Sequence, residues 1–227
     1  MVQNKPQAEK DPEVAIASAI GRVEAFIMRN SRSLLTALGV VIIVVGGFFG
    51  YKYLVAVPRM EKASAMMFAA EQQFAQDSFK LALNGDGNFA GFLQVIEKYG
   101  STGTGNVARH YAGICYLRLG QYQEALDYLT QYKGSTDDVP SALLAAQNYG
   151  LRGDVYVQMG DYAEAAKSYE KAVATSSDPL TAPYYLKKAG EVYEKLGDNA
   201  KALAAYEAVE VDYPTSMEAR DIQKYIG

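Results

Sequence analysis

The chain has 227 residues, a formal net charge of −4 and 49% hydrophobic residues, a composition typical of a folded protein and not of a disordered one. It contains one Cys, which excludes an intrachain disulfide framework and a Cys-rich zinc site. It also contains one His, which leaves little room for His-based metal or acid–base chemistry.

The first 32 residues contain a short helix pattern. Asp11-Pro12 is a typical helix start, with an acid at the N-cap and Pro at the first helical position. Four apolar residues then recur at spacings of 4, 3 and 4, on one helical face: Ile16, Ile20, Val23 and Ile27. We expect residues 1–32 to be a cytoplasmic tail whose amphipathic helix lies on the membrane or on a partner, and a weakly ordered tail is an equal alternative.

An uncharged run from Ser33 to Tyr51 comes next and predicts a transmembrane helix over residues 33–53. As a helix, this run spans roughly 28 Å, about the hydrocarbon thickness of a bilayer. A cleaved signal peptide is the alternative, but the long, acid-containing segment before the run and the poor cleavage site at Ala56-Val57-Pro58 favour an uncleaved signal anchor. Gly46 and Gly50 form a small-xxx-small pair and are predicted to pack against another membrane helix.

Charge is distributed unevenly about this run. Residues 1–59 carry seven basic and four acidic residues, net +3, whereas residues 60–227 carry 15 basic and 22 acidic residues, net −7. The basic residues close to the run are about equal on its two sides, so we base the orientation on the larger asymmetry. We predict a single-pass protein of the bacterial inner membrane, with a cytoplasmic N-terminus and a periplasmic C-terminal domain.

Residues 54–105 read as a stalk helix followed by a degenerate first repeat. The pattern predicts a helix from Arg59 to Leu83, a break at Asn84–Asn88 and a second helix from Phe89 to Tyr99. A loop is expected over Gly100–Asn106.

Three later segments align with one another without gaps: AGICYLRLGQYQEALDYL, RGDVYVQMGDYAEAAKSY and AGEVYEKLGDNAKALAAY, which start at Ala112, Arg152 and Ala189. The shared positions are a first Gly (Gly113, Gly153, Gly190), a Tyr (Tyr116, Tyr156, Tyr193), a second Gly (Gly120, Gly160, Gly197) and an Ala (Ala125, Ala165, Ala202). The first Gly is expected to let helix A sit tightly on helix B, the second to end helix A with a positive φ, and the Ala to face helix A.

This pattern resembles the tetratricopeptide repeat family. The resemblance implies an all-α fold in which a single transmembrane helix is followed by a helical solenoid with three repeats over residues 106–214. The periods of 40 and 37 residues exceed the family's 34, and we assign the extra residues to the loops around Gly134–Pro140 and Thr175–Ala182. Residues 215–227 are predicted to form a capping helix, Ser216–Ile226, with four residues turned inward: Met217, Ala219, Ile222 and Ile226.

No catalytic, cofactor or metal pattern is visible, and we predict neither an enzyme nor a small-molecule substrate. His110 falls on a predicted helix A with no acidic or thiol neighbour at helical spacing, so we interpret it as a structural or surface residue. Cys115 lies in the middle of the same helix beside Tyr116, and we interpret it as a small buried hydrophobic residue. Asp137-Asp138 is interpreted as a solvated loop pair. The charge of −7 on residues 60–227 disfavours nucleic acid as a partner.

The resemblance further implies a partner-binding groove lined by the A helices. By pattern position it includes Val107, His110, Ile114, Leu117, Arg118, Gln147, Asp154, Val157, Gln158, Tyr184, Lys187, Glu191, Glu194 and Lys195. Asp154 and Glu191 stand where the family's clamp for a C-terminal carboxylate has Asn, so we do not predict capture of a protein's C-terminal tail. A mixed apolar and charged groove suits a protein segment.

The order of parts over nearly the whole chain also resembles the YfgM-like family, the ancillary subunits of the bacterial Sec translocon. That resemblance implies three kinds of protein partner: translocon channel subunits, a periplasmic chaperone of the isomerase type, and exported client proteins. The alternative is a tetratricopeptide scaffold for another cell-envelope assembly or secretion complex.

Overall fold

A computed structural model describes residues 12–226, with side chains from residue 16 onward. The chain divides into two units between Val57 and Pro58, and each unit is described by itself.

The N-terminal unit is one long helix, α1 (Pro12–Tyr51), followed by a π-helical turn, Lys52–Ala56. The helix begins at the predicted Pro12, while the expected cap, Asp11, lies outside the described residues. Asn30 interrupts the helical geometry with φ −111° and ψ 16°, and its side-chain amide donates to the Phe26 carbonyl at 3.0 Å. The predicted amphipathic helix is therefore the first part of α1, and the break falls three residues before the predicted span.

The apolar part of α1 is long and hydrophobic enough to cross a membrane. Its most apolar 18-residue window has a mean hydropathy of 2.3, and none of that window is buried within the protein. A signal sequence near the N-terminus meets the same criteria of length and hydropathy, so this helix alone does not distinguish the uncleaved anchor from the cleaved signal peptide. A Cβ added at Gly46 or Gly50 would meet no atom within 4 Å, so both positions leave room for another helix.

The second unit begins with three helices that differ from the predicted stalk: α2 (Val57–Ala75), α3 (Phe79–Asn84) and α4 (Phe92–Tyr99). The predicted helix from Arg59 to Leu83 is broken at Asp77, whose φ is +56°. Asp is one of the few residues that adopt this left-handed conformation. The break lets Phe79 of α3 pack edge-on against Phe74 of α2, with the ring centroids 5.6 Å apart.

Three antiparallel helix pairs follow: α5 (Gly103–Arg118) with α6 (Tyr122–Gln131), α7 (Val139–Met159) with α8 (Tyr162–Thr175), and α9 (Ala182–Leu196) with α10 (Asn199–Asp212). The predicted loop before the first pair is shorter than expected, because the Thr102 hydroxyl caps α5 by accepting the Gly105 N–H at 3.0 Å. The buried apolar residues of these pairs and of α2–α4 form three core clusters between the helices.

The repeated glycines behave as the pattern predicts. A Cβ at Gly153 would lie 2.5 Å from the ring of Tyr169, and one at Gly190 would lie 2.3 Å from the ring of Tyr206, so helix A touches helix B at both. The second glycine of each repeat has φ between 75° and 78°. The repeated alanines are buried between the helices.

The extra length of the middle repeat was assigned partly to the wrong element. Helix α7 has 21 residues against 16 in α5, so much of the insertion is helical and not loop. Asp138 starts α7 early, because its carboxylate accepts the Ser141 N–H at 2.8 Å and Pro140 follows in the first turn.

The predicted capping helix, Ser216–Ile226, is instead a 3₁₀ turn, Glu218–Arg220, and a short helix α11, Gln223–Ile226. Ile222 is fully buried, and Ala219 and Ile226 pack on the same core. The prediction for Met217 is wrong, since it is 76% exposed. Residues two apart point to opposite sides of a helix, so Met217 and Ala219 cannot share a buried face.

Candidate partner-binding groove

An open groove of about 680 Å³ runs across helices α5, α7 and α9. The residues that line it are Leu117, Arg118, Tyr122, Leu151, Asp154, Val157, Gln158, Tyr162, Tyr169, Tyr184, Lys188, Glu191, Val192 and Lys195. Four are tyrosines and four are aliphatic, and the rest are charged or amide side chains. The second Gly of each repeat ends its A helix with a positive φ, and the three A helices α5, α7 and α9 all contribute lining residues to the groove.

Eight of the fourteen predicted groove residues line it: Leu117, Arg118, Asp154, Val157, Gln158, Tyr184, Glu191 and Lys195. The other six lie elsewhere: Val107, His110, Ile114, Gln147, Lys187 and Glu194. Val107 packs on the core formed with α2–α4, and Ile114 is half-buried. Gln147 is exposed outside the groove, and Lys187 lies with its ammonium 5.0 Å from the ring centroid of Tyr225. Glu194 accepts a hydrogen bond from the Tyr206 hydroxyl at 3.0 Å.

The placement of His110 in the groove was wrong, because the side chain is buried between repeats. Its Nδ1 lies 3.2 Å from the side-chain nitrogen of Asn148 on α7, and the rings of Tyr111 and Tyr132 contact it. Burial lowers the pKa of His110 to about 4, so the imidazole is neutral and accepts the amide hydrogen at pH 7. His110 therefore joins α5 to α7.

The centre of the groove is a hydrogen-bonded cluster around Asp154. One carboxylate oxygen, Oδ1, accepts from the Tyr169 hydroxyl at 2.7 Å and from the Lys188 ammonium at 2.6 Å. The same ammonium lies 4.8 Å from the ring centroid of Tyr184. The cluster thus ties α8 and α9 to α7 beneath the groove.

Burial and the neighbouring Asp154 carboxylate both raise the pKa of Tyr169, so its phenol stays protonated and donates. Burial alone would lower the pKa of Lys188, but the carboxylate outweighs it and the pKa is raised overall. The Tyr169 hydroxyl and the Lys188 ammonium are therefore both protonated at pH 7, and the ammonium balances the negative charge of Asp154 from within the chain.

Charges that form no ion pair within residues 16–226 lie beside this cluster. They are the cations Arg118 and Lys195 and the carboxylate of Glu191. At the same edge, the Tyr122 hydroxyl lies 3.3 Å from the Gln158 side-chain oxygen. The groove therefore offers apolar rings and chains, together with charges of both signs, to a segment of another protein.

Sequence reasoning missed six lining residues: Tyr122, Leu151, Tyr162, Tyr169, Lys188 and Val192. For Lys188, the residue spacing contains a pattern that could have placed it in the groove. Tyr184, Lys188, Glu191 and Lys195 follow at spacings of 4, 3 and 4, one helical face, and Lys187 is one residue off that face. Tyr169 fills a repeat position that packs helices, and only its hydroxyl reaches the groove, which spacing cannot reveal.

No group of three or more His, Cys, Asp or Glu side chains able to hold a metal ion occurs in the described part of the chain. Cys115 is buried, and burial raises the pKa of its thiol to about 12, which keeps it from acting as a thiolate. The loop pair has local roles, since Asp137 accepts from the Ser135 hydroxyl at 2.7 Å and Asp138 caps α7.

Comparison with known proteins agrees with this architecture. Family models described as tetratricopeptide repeat match residues 106–178 and 151–217. Two solved structures are similar, both described as crystal structures of MamA. One is 16% identical, with a TM-score of 0.52, and the match covers 69% of this chain and 90% of that one. The other is 17% identical, with a TM-score of 0.52, covering 73% and 79% respectively. No curated protein matches the sequence.

At this identity the solved structures support the fold alone, and the family models supply the repeat assignment. Repeats of this family are typically scaffolds and not enzymes, and they bind other proteins. Residues 106–217 therefore consist of tetratricopeptide repeats, and the chain carries a scaffold for protein–protein interaction.

Proposed function

We propose that this protein is a single-pass membrane scaffold that holds an extended segment of a partner protein in the groove over α5, α7 and α9. The observation that carries the proposal is the groove itself, about 680 Å³, open and lined by tyrosines and aliphatic side chains. Arg118, Glu191 and Lys195 are free to pair with charges on the segment. The apolar surface supplies affinity, and the charges set orientation and register.

The proposed location is the bacterial inner membrane, with residues 33–53 as an uncleaved anchor and the repeats in the periplasm. The exposed apolar helix supports it, and so does the difference between the net charge of +3 on residues 1–59 and −7 on residues 60–227. Protease added to spheroplasts should degrade the repeats, whereas intact cells should protect them. Protection in spheroplasts as well would place the repeats in the cytoplasm and contradict the proposal.

The more specific proposal is an ancillary subunit of the Sec translocon that works with a periplasmic chaperone of the isomerase type. Its support is the order and size of the parts, which resemble those of the YfgM-like family. The mechanism is tethering, because an anchor near the channel exit raises the local concentration of the groove around emerging proteins. Such tethering increases the occupancy of a modest-affinity groove without any new contact.

A pull-down in gentle detergent, followed by mass spectrometry, tests this assignment. Channel subunits together with a periplasmic isomerase-type chaperone are the expected result. Recovery of outer-membrane or cell-wall assembly factors without the channel would replace it with the alternative, a scaffold for another envelope complex. A groove variant, Tyr184→Ala with Lys195→Glu, should lose the groove-bound partner and keep partners bound through the membrane helix.

A further inference from the structure

The middle repeat places a cation where the other two repeats place a methyl group. Arg152 aligns with Ala112 in the first repeat and Ala189 in the third, both of which are buried. Helix packing alone therefore requires only a small apolar side chain at this position. The guanidinium of Arg152 is therefore not explained by helix packing, and we look for another group that it contacts.

Arg152 is only partly compensated. One of its terminal nitrogens donates to the Leu129 carbonyl at 2.8 Å, near the C-terminal end of α6, and its guanidinium carbon lies 4.9 Å from the ring centroid of Tyr149. Its Nε is buried without a hydrogen-bond partner, and none of the ion pairs within residues 16–226 involves it. A half-buried cation without a counter-ion costs free energy that an anion would recover.

A cavity of about 130 Å³ lies beside this side chain, between α7, the loop that precedes it and the end of α8. Its lining residues with polar side chains are Tyr132, Thr136, Asn148, Tyr149, Arg152 and Thr175. Asn148 is 1% exposed and Tyr132 is 7% exposed, so these polar groups are deeply placed. The lining contains no acidic side chain and shares no residue with the partner-binding groove.

A second cation, Lys171, lies near one lining residue of this cavity without lining the cavity itself. The Lys171 ammonium lies 6.0 Å from the ring centroid of Tyr149, the ring that Arg152 also contacts, and Lys171 forms no ion pair within the described residues. The cavity itself is lined by one cation, Arg152, one amide and four hydroxyls.

We propose that this cavity binds a carboxylate group, with Arg152 as the charged contact. A planar guanidinium can donate two parallel hydrogen bonds to the two oxygens of a carboxylate. One terminal nitrogen of Arg152 already donates to the Leu129 carbonyl, so the donors that remain match a small monoanion. The same chemistry has two sources, a free small carboxylate or an Asp or Glu side chain of a bound protein. The site is independent of what the groove binds.

The test uses the full-length protein purified in detergent at pH 7, unfolded by heat and followed by the near-UV circular dichroism of its tyrosines. Sodium acetate at about 100 mM, compared with sodium chloride at equal ionic strength, should raise Tm by about 3 °C if Kd is about 10 mM. Arg152→Ala, which installs the residue of the other two repeats, should remove the acetate effect. Arg152→Lys should retain part of it, and Arg220→Ala, at an exposed cation, should retain all of it.

Two further measurements with blocked peptides distinguish a free small carboxylate from an Asp or Glu side chain of a bound protein. A blocked Gly-Glu-Gly peptide that stabilises the protein as acetate does, while its Gly-Gln-Gly counterpart does not, would assign the site to a protein side chain. An acetate effect without a peptide effect would assign it to free carboxylates.

Three results would overturn the proposal: no acetate effect on the wild type, an equal effect in Arg152→Ala, or stabilisation by phosphate without stabilisation by acetate. Acetate binding is also read directly from broadening of its methyl NMR signal by the wild-type protein. The test therefore does not depend on Arg152→Ala being folded, and an absence of broadening would equally overturn the proposal.

Discussion

Lys188 Nζ lies 2.6 Å from Asp154 Oδ1, and this pair joins the A helices of two successive repeats beneath the groove. Both side chains are about one quarter exposed, so solvent screens the pair only in part. The Tyr169 hydroxyl donates to the same oxygen. The packing of the second repeat against the third therefore has an electrostatic contribution in addition to that of the apolar core.

Replacing either member of this pair should destabilise the repeats. We expect Lys188→Met and Asp154→Asn each to lower the free energy of unfolding by about 1–2 kcal/mol, since each leaves a half-buried partner uncompensated. Urea unfolding of both single variants and the double variant gives the coupling energy, expected to be about 1 kcal/mol. Strictly additive losses would show that the pair contributes nothing to stability.

A methyl group at the helix contact of a repeat should be poorly tolerated. Gly190→Ala places a Cβ about 2.3 Å from the Tyr206 ring, so the helices must separate or the ring must move. We expect a loss of about 1–3 kcal/mol in unfolding free energy. Gly103→Ala is the matched control, because a Cβ there meets nothing within 4 Å, and it should be neutral or slightly stabilising. Equal effects in the two variants would contradict close A–B packing.

Acid should weaken the junction between the first and second repeats. The pKa of His110 is about 4 when folded and about 6.5 in an unfolded chain, so the unfolded state binds the proton first and stability falls as pH drops from 6.5 towards 4. We expect this residue to contribute a loss of about 2 kcal/mol between pH 7 and pH 4.5.

His110→Gln is the control for this pH dependence. It preserves a hydrogen-bonding partner for Asn148 but does not titrate, so urea unfolding at the two pH values should show a smaller difference than in the wild type. An unchanged difference would assign the acid sensitivity to other groups.

The single thiol should be inert in the folded protein. Burial raises the pKa of Cys115 to about 12, so both access and the thiolate fraction are low at pH 8. A maleimide should label it only after urea unfolding, whereas a cysteine introduced at the exposed Ser177 should react at once. Rapid labelling of native Cys115 would show that α5 opens easily.

Residue spacing was sufficient to predict the repeats because each signal there is local. Gly160 and Gly197 end helices with φ of 78° and 75°, and the glycines seven residues earlier mark helix contacts. The break at Asp77 was not predicted, since the apolar pattern continues through it and the aromatic contacts of Phe74 decide it.

The groove was predictable only in part, for a geometric reason. Pattern position assigns a residue to a helix face, but it does not say where the neighbouring helix covers that face. His110 is on the predicted face and is covered by α7, whereas Leu117 and Arg118, two turns further along, are open. Tyr169 reaches the groove from a B helix through its hydroxyl, a contact that depends on Asp154 across the interface.

The most direct test of the groove as the partner site is photo-crosslinking in cells. A photoactivatable residue replaces Tyr184, which lies in the groove and is 42% exposed, or Met217, which lies outside it and is 76% exposed. We predict crosslinks to a defined protein from position 184 and none to that protein from position 217. Crosslinks of equal yield from both positions, or none from position 184 in a protein that still captures its partners, would contradict the groove as the binding site.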